Sequence, residues 1–593
     1  MVISVGRSAQ LFMKMNLTFS IILYSAAILH AADIYVATNG SDTARGTASQ
    51  PFRSIQKGLD VVASSGGTVT VGPGVFREEL TIRSQQPVTL KTAQPQATIL
   101  DGAERVQGWR LLDETQNVWF MEFGPPAPYN NDHGRWDMAP RSEQVFVNGQ
   151  RCKPMKAATP FNAMLEFSFT ATLTDPARYT LKLPHGMNPN AATTEITVKM
   201  NLLNVRADHV VVDGFVFRRT RNTYQQAMVT LHGEAIEFRN NLVEYSSAGS
   251  GLAIQTKRAH VHDNSLLHNG QFGFALGGSD NLVENNRIQG NDLAGYKEWG
   301  TGGTKIVGSG NNIRRNRFLD NLGGVAIWLD CGPCNNRIEY NYVSGNYGEG
   351  IRAEISFHSF IGYNIIENTK PCTSTMFGHT QTHCIGISVQ NSAEICVVNN
   401  FLKDNHGVGI QLATYNRDAK HLPPWQRYDK RQIQWIHQSW TNKFICAYSN
   451  LFFNNVILQT TVESTNPCVY CMGLLNEPWP HCQGNRFDYN FYWNSLTHAP
   501  KVRVRDVTEV PNSESEWQTR YGMDAHVLGG FVPDDYRQPA FGAEYPYQPT
   551  ASFSGSGKGR NLQDLPWRSE GDYQGTLLNA GAKPSVGHIE PRR

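Results

Sequence analysis

The sequence has little net charge and few charged residues. Its 593 residues include 53 Lys and Arg against 51 Asp and Glu, a formal net charge of +2, and only 18% of all residues are charged. A surface without an excess of one sign offers no broad attraction to nucleic acid, so we expect no nucleic-acid partner. The 40% hydrophobic content is too high for a disordered chain.

Apolar runs long enough to cross a membrane are also missing. The stretch at residues 17–29 (LTFSIILYSAAIL) has 13 residues, whereas a bilayer requires about 20. It follows Arg7 and Lys14 and precedes Ala31 and Ala32, which is the order of a secretory signal peptide. We therefore expect a signal peptide at 1–32, no membrane span, and a secreted or periplasmic protein.

The ten cysteines are compatible with disulfides in an exported chain. Cys331-Gly-Pro-Cys334 matches the tetrapeptide of thioredoxin-like redox centres, but it lies among the repeats described next and not in a strand-to-helix turn. Cys468 and Cys471, with His481 and Cys482 nearby, fit either half of a zinc site or a local disulfide. We favour the disulfide.

A motif of two asparagines five residues apart recurs from residue 240 onward. The leading asparagines at 264, 286, 316, 341 and 364 are separated by 22, 30, 25 and 23 residues, a mean of 25. Such a period is typical of one coil of a solenoid. Because Asn side chains bond the backbone and tolerate left-handed geometry, we expect them to stack at one corner of the coils.

Glycine and then alternating apolar residues follow these copies, as in 324–330, 350–356, 386–390 and 409–413. A period of two indicates a strand with one buried face. Several short strands per coil, without helical crossovers, predict an all-β fold, a right-handed parallel β-helix. The repeats of β-propeller blades are longer, at about 40–50 residues.

The repeats also divide the chain. We predict an N-terminal cap and first coils at 33–107, a β-rich insertion at 108–200, the main β-helix at 201–494 and a C-terminal extension at 495–593. An amphipathic stretch at 54–63 predicts a short helix that covers the open end of the solenoid, where strand edges would otherwise be exposed.

The alternation assigns each side chain of two successive coils to the inside or the outside. Counted from Gly324 and Gly350, the odd positions are expected to face the core: Val325, Ile327 and Leu329, then Ile351, Ala353 and Ile355. The even positions are expected to face outward: Ala326, Trp328 and Asp330, then Arg352, Glu354 and Ser356. Neighbouring coils add Lys305, Ser388, Gln390 and Gln411 to the outer face.

Two carboxylates on this face are candidates for acid and base chemistry. Asp330 and Glu354 are 24 residues apart, close to one coil. Counted from Gly324 and Gly350, Asp330 is at the sixth position and Glu354 at the fourth. These two positions are expected to be about 4.8 Å apart across the sheet and about 6.7 Å apart along it. Carboxylates ~5–5.5 Å apart hydrolyse glycosides with retention, and those ~6.5–9.5 Å apart with inversion. Alternatively, Glu354 only pairs with Arg352 or Lys305.

The sequence around the two acids resembles a known family. Trp-Leu-Asp at 328–330, followed one coil later by Arg-Ala-Glu-Ile-Ser at 352–356, is similar to the paired acids of β-helix glycoside hydrolases of the β-xylosidase type, in the pectate-lyase-like superfamily. The resemblance implies that Asp330 is the nucleophile and Glu354 the acid/base. It departs from the family pattern at Cys331, Arg352 and Phe357.

Under this hydrolase hypothesis the remaining polar and aromatic residues bind the sugar without a cofactor. The expected substrate-binding residues are Trp299, Lys305, Trp328, Arg352, His358, Gln390 and Gln411. A loop at 292–303, which contains Glu298 and Trp299, lengthens one coil and is expected to form a wall of the site.

The sequence is also compatible with two other functions. A polysaccharide lyase would use Lys305 as base and Arg352 as a clamp for a uronate carboxylate, with Ca²⁺ as its cofactor. A non-catalytic β-helix would only bind carbohydrate. In each case the partner is a carbohydrate.

Overall fold

The protein is described here from a computed structural model. It covers residues 32–124, 143–155, 160–170, 177–296, 300–376, 379–414, 447–459, 467–472, 484–488, 490–494, 502–504, 518–519 and 523. The predicted signal peptide and nearly all of the predicted C-terminal extension lie outside these residues. Within them, no helix is long and apolar enough to cross a membrane.

Three long parallel sheets form the body of the molecule, and the chain visits them in turn. Sheet 1 contains Ala32–Val36, Gly67–Val71, Val88–Thr92, Val210–Asp213, Glu237–Arg239, His260–His262, Leu282–Glu284, Asn312–Arg314, Arg337–Glu339, Phe360–Gly362, Cys396–Val398, Leu451–Phe453 and Arg486–Asp488. Sheet 2 contains Gly74–Phe76, Thr98–Asp101, Val216–Arg218, Leu242–Glu244, Ser265–Leu267, Arg287–Gln289, Arg317–Leu319, Tyr342–Ser344, Ile365–Glu367, Phe401–Lys403, Val456–Gln459 and Phe491–Asn494.

Sheet 3 carries the candidate site. It contains Leu80–Ile82, Leu203–Arg206, Ala227–Glu234, Ser250–Lys257, Phe272–Leu276, Gly302–Ile306, Val325–Leu329, Glu349–Glu354, Ile385–Gln390, Val408–Ala413, Val469–Met472 and Val502–Val504. Inward-facing side chains of all three sheets pack into one continuous apolar core. The last of these strands lies beyond residue 494, where we expected the coils to end.

Asparagines stack at three corners of the coils, not at the single corner that we expected. One ladder joins Asn241, Asn264, Asn286, Asn316, Asn341, Asn364, Asn400, Asn455 and Asn490. A second joins Asn269, Asn291, Asn321 and Asn346, and a third includes Asn281, Asn311 and Asn336. The two asparagines of the repeat motif therefore belong to separate ladders, because one short strand of sheet 2 lies between them.

Five successive strands of sheet 3 each have a small residue near their start, and these residues stack in a column. It consists of Gly303, Ala326, Gly350, Gly386 and Gly409. A Cβ on Gly350 would lie 2.6 Å from the Ile366 side chain, and one on Gly386 would lie 2.7 Å from Leu402. These positions face the interior, so the chain requires small residues there.

The position of this column shows that the prediction of which side chains face the core is wrong for Val325 and Ala326. Ala326, not Gly324, occupies the position equivalent to Gly350. Ala326 therefore packs in the core, whereas Val325 lies outside the core against Phe272 and Trp328.

The expected alternation also fails where the strand Glu349–Glu354 ends. Ile355 has a φ of 48° and packs with Cys334, Phe357 and Ala393, apart from the main core. Ser356 does not face outward but is fully buried, and its hydroxyl donates to the Glu354 carbonyl.

The helix Ile55–Val62 closes the N-terminal end through buried Ile55, Leu59 and Val62. An insertion between the strands Thr98–Asp101 and Leu203–Arg206 forms two further sheets. The first is antiparallel, and the second is mixed because Lys153–Met155 and Glu166–Thr170 pair in parallel. The first contains Ala103–Arg105, Val145–Val147, Gln150–Arg151 and Thr194–Thr197, and the second Arg110–Asp113, Val118–Phe123, Lys153–Met155, Glu166–Thr170 and Ala177–Lys182.

Buried and partly buried ion pairs attach the insertion to the coils. Glu195 contacts Arg77 at 3.1 Å and Arg219 at 2.5 Å, and Glu143 contacts Arg221 at 2.8 Å. A further antiparallel hairpin, Cys372–Met376 and His379–His383, precedes the strand Ile385–Gln390.

Candidate active site

The candidate residues form two adjacent rows on the outer face of sheet 3. In the first row Lys305, Trp328, Arg352, Ser388 and Gln411 are direct partners on successive strands. In the second row Glu354 pairs with Gln390. Leu329 pairs with Ala353, so the next residues, Asp330 and Glu354, stand opposite each other. The displacement of about two residues along the sheet, expected from the glycine count, is wrong.

Asp330 is held by three donors and exposes only 5% of its surface. The Lys305 ammonium nitrogen lies 2.8 Å from Oδ2. The backbone N–H of Cys331 donates to Oδ1 at 2.7 Å, and its thiol donates to Oδ2 at 3.2 Å. These contacts fix both carboxylate oxygens in one orientation.

Lys305 connects Asp330 with the aromatic ring of Trp328. Its Nζ lies 4.0 Å from the ring centroid, within the range of a cation–π contact. Burial alone would lower the pKa of Lys305, but the charges around it, Asp330 foremost, raise that pKa above its ordinary value of 10.5. Lys305 is therefore an ammonium ion at neutral pH.

Glu354 is oriented by one residue of the neighbouring strand and one of its own strand. The Trp328 indole N–H donates to Glu354 Oε2 at 3.1 Å, and Arg352 Nη1 lies 3.5 Å from the same oxygen. Trp328 exposes 1% and Glu354 4% of their surfaces. In such a dry setting the interactions of charges with each other are stronger than in water.

Two residues that the sequence did not indicate complete the charge pattern. Glu349 binds the Arg352 guanidinium through both of its oxygens, with Nε–Oε2 at 2.8 Å, and His383 Nδ1 lies 3.4 Å from Glu349 Oε1. Burial alone would raise the pKa of Glu349, but Arg352 and His383 hold it below its usual value. Arg352 is thus matched mainly by Glu349.

The other predicted residues are distributed around this centre. Gln390 and Gln411 are each 5% exposed, and Gln390 Nε2 donates to Ser388 Oγ at 2.9 Å. His358 lies beyond the corner that follows Glu354, and its Nδ1 is 2.5 Å from Asn335 Oδ1. Burial lowers the pKa of His358 to about 4.

The loop at 292–303 is described only in part. Tyr296 packs edge-on against Tyr224, and its hydroxyl donates to the Ala248 carbonyl at 2.9 Å. This part of the loop therefore lies against coils that precede the candidate acids. Glu298 and Trp299 lie outside the described residues.

Of the four described cysteines in the two motifs, three are buried and Cys331 is partly buried. Burial, with the charge of Asp330, raises the pKa of Cys331 to about 12, and a thiol without thiolate character is a poor nucleophile. Cys468 and Cys471 are buried in the main core, whereas His481 and Cys482 lie outside the described residues.

Comparisons with known proteins define the fold class. Residues 227–384 match the family model of the right-handed β-helix region. The protein is a right-handed parallel β-helix, as predicted from its repeats. No curated protein sequence gives a significant match.

Solved structures share this fold at low sequence identity. XylC in complex with xylose gives a TM-score of 0.55 at 16% identity, covering 81% of this chain and 86% of that one. A glycoside hydrolase gives 0.48 at 13%, covering 65% and 95%. The PL6 family polysaccharide lyase Pedsa3628 from Pseudopedobacter saltans gives 0.40 at 13%, covering 80% and 92%.

Proposed function

We propose that the protein is an exported glycoside hydrolase that acts on an oligo- or polysaccharide through Asp330 and Glu354, as in enzymes of the β-xylosidase type. The observation that carries this proposal is the stacking of the two carboxylates on adjacent strands of sheet 3, each oriented by its own donors. A carboxylate pair on a rigid sheet is the requirement for acid/base hydrolysis of a glycosidic bond.

The register favours hydrolysis with retention of configuration. Directly opposed residues on adjacent parallel strands are about 4.8 Å apart at the backbone, close to the carboxylate separation of about 5–5.5 Å in retaining enzymes. The register of these two strands has no additional offset along the sheet that would move the two acids further apart.

The mechanism assigns one role to each acid. Asp330 attacks the anomeric carbon while Glu354 donates its proton to the leaving oxygen, so the glycosidic bond breaks as the Asp330–sugar ester forms. Glu354 then takes a proton from water, and the resulting hydroxide displaces Asp330. Lys305 supplies the counter-charge for Asp330, and Gln390 and Gln411 donate hydrogen bonds to sugar hydroxyls.

The contacts favour hydrolysis over a lyase reaction. A lysine base must be neutral, yet the surroundings raise the pKa of Lys305. The clamp proposed for a uronate carboxylate, Arg352, is already held by Glu349. A lyase would therefore have to break two existing ion pairs before binding its substrate.

The decisive experiment compares the wild type with Asp330→Asn and Glu354→Gln on a series of aryl glycosides. Aryl xylosides come first, because XylC, which shares the fold, was solved with xylose; plant and algal polysaccharides follow. Each substitution should lower turnover by about 10²–10⁴-fold. Asp320→Asn, at an exposed corner, is the matched control and should leave turnover unchanged.

Product analysis separates the alternatives. NMR of the first-formed sugar should show the anomer of the substrate. An unsaturated product that absorbs ultraviolet light would establish the lyase reaction instead. Carbohydrate binding that survives in the Asp330→Asn/Glu354→Gln double variant, without turnover by the wild type, would establish a non-catalytic binding protein.

A further inference from the structure

A cluster of metal-ligand residues lies on sheet 1, away from the two acids of sheet 3. It consists of Glu237, His260 and His262, whose potential ligand atoms all lie within 4.8 Å of one another. The proposed hydrolysis uses none of these residues.

The strand register explains why these side chains meet. Glu237 pairs with His260, and Arg239 pairs with His262. The residues between them, Phe238 and Val261, are fully buried in the core. Alternation therefore places Glu237, His260 and His262 on the outer face. The two imidazole rings stack with centroids 4.0 Å apart and an interplanar angle of 27°.

Carboxylates approach the imidazoles from the strands on both sides. Glu237 Oε1 lies 3.1 Å from His262 Nε2, on the side of the preceding strand. Glu284 Oε1 lies 2.9 Å from His260 Nε2, on the side of the following strand. Two imidazoles and two carboxylates are thus arranged across three coils, and each imidazole Nε2 faces one carboxylate oxygen.

The remaining atoms of these groups are held by residues around them. Asp263 Oδ2 lies 2.6 Å from His262 Nδ1, which leaves Nε2 directed at Glu237. Arg314 donates to Glu284 Oε2 at 2.8 Å. Arg239 donates at 2.6 Å to Glu237 Oε1, the same oxygen that faces His262, so a bound ion would share this oxygen with Arg239 or displace its hydrogen bond. A carboxylate on the far nitrogen of a histidine is the arrangement that orients metal-binding imidazoles in proteins.

The charge of the cluster suits a divalent cation. Its members are the carboxylates of Asp213, Glu237, Asp263 and Glu284 and the guanidiniums of Arg239 and Arg314. Four negative and two positive groups leave a formal charge of −2 when the imidazoles are neutral. The side chains of His260, His262 and Glu237 expose 39%, 15% and 31%, so an ion can reach them from solvent.

We propose that this cluster binds a divalent transition-metal ion such as Zn²⁺ through His260, His262 and Glu237, with Glu284 or water as the fourth ligand. Two imidazoles and a carboxylate form a donor set that suits zinc and its neighbours, whereas Ca²⁺ and Mg²⁺ prefer oxygen ligands alone. The bound ion links successive coils, and it stabilises the folded chain more as the free ion concentration rises above the dissociation constant.

The test is titration of the metal-free protein with Zn²⁺ by calorimetry, together with the d–d absorption spectrum of bound Co²⁺. The wild type should bind one Zn²⁺ that the His260→Gln/His262→Gln variant does not bind, and its melting temperature should rise with Zn²⁺. Asp263→Asn should weaken Zn²⁺ binding by about 10–100-fold, because it removes the residue that orients His262. His232→Gln, on sheet 3, is the matched control and should bind as the wild type does.

Three results would overturn the proposal. One is equal Zn²⁺ binding by the wild type and the double variant when circular dichroism shows both to be folded. Another is the failure of the wild type to bind Zn²⁺. The third is a sulfur-to-cobalt charge-transfer band, which would assign the metal to cysteines. None of these readouts depends on glycosidase activity, so the proposal stands or falls separately from the proposed function.

Discussion

At the scale of single residues, the ion pair of Lys305 and Asp330 links stability to the proposed chemistry. The two side chains expose 24% and 7% and meet at 2.8 Å. A buried ion that loses its partner costs about 3–5 kcal/mol, and the partial exposure of Lys305 reduces this to about 2–3 kcal/mol. Lys305→Met should therefore lower the free energy of unfolding by about that amount.

Chemical denaturation of the two single variants and of Lys305→Met/Asp330→Asn measures this interaction. The double variant should lose less stability than the sum of the single losses, because the uncompensated charge is gone. Since the pKa of Lys305 is raised above 10.5, the pair persists below that pH and its contribution fades only as the pH rises through the raised value. The cost of Lys305→Met should be the same at pH 6 and pH 9; a cost that disappears by pH 9 would contradict the assignment.

At the scale of strands, the sequence predicts which side chains share a face but not every register. The period of two correctly joins Lys305, Trp328 and Arg352 in one row. The offset between Asp330 and Glu354 was wrong because Gly324 was equated with Gly350, although Ala326 satisfies the same steric demand. Glu349 and His383 were missed because Glu349 lies at the irregular start of its strand and His383 belongs to a hairpin outside the repeat.

The asparagine ladders provide a second prediction at this scale. Asn316 is fully buried, accepts from the Asn286 backbone N–H at 3.0 Å and donates to the Val283 carbonyl at 2.9 Å. Asn316→Ala leaves both backbone groups without this partner, at about 1–3 kcal/mol each. We expect denaturation to show a loss of about 3 kcal/mol. Asn204→Ala, on the outer face of sheet 3, should cost less than about 0.5 kcal/mol; equal losses would show that the ladder adds nothing.

At the scale of the whole molecule, the repeat period predicts the architecture of the coils better than it predicts the parts of the chain that interrupt them. A mean of 25 residues is enough to predict a parallel β-helix, because each coil buries its inner face only against its neighbours. The insertion has no such period, so its two sheets and the ion pairs of Glu143 and Glu195 depend on tertiary contacts that spacing does not show.

Because each coil packs mainly against its neighbours, the fold also predicts how far the effect of a destabilising substitution at one end extends. Leu59 in the helix Ile55–Val62 is 4% exposed and packs in the continuous core. Leu59→Ala should cost about 2–5 kcal/mol, but in a solenoid that loss falls mainly on the adjacent coils. Amide hydrogen exchange should accelerate in Ala32–Val36 and Gly67–Val71 and stay slow in Val325–Leu329. Val61→Ala, at a position 38% exposed in the same helix, should change neither region. Faster exchange throughout all three sheets would instead show that the coils unfold as one cooperative unit, so that a defect in the cap would reach the candidate active site.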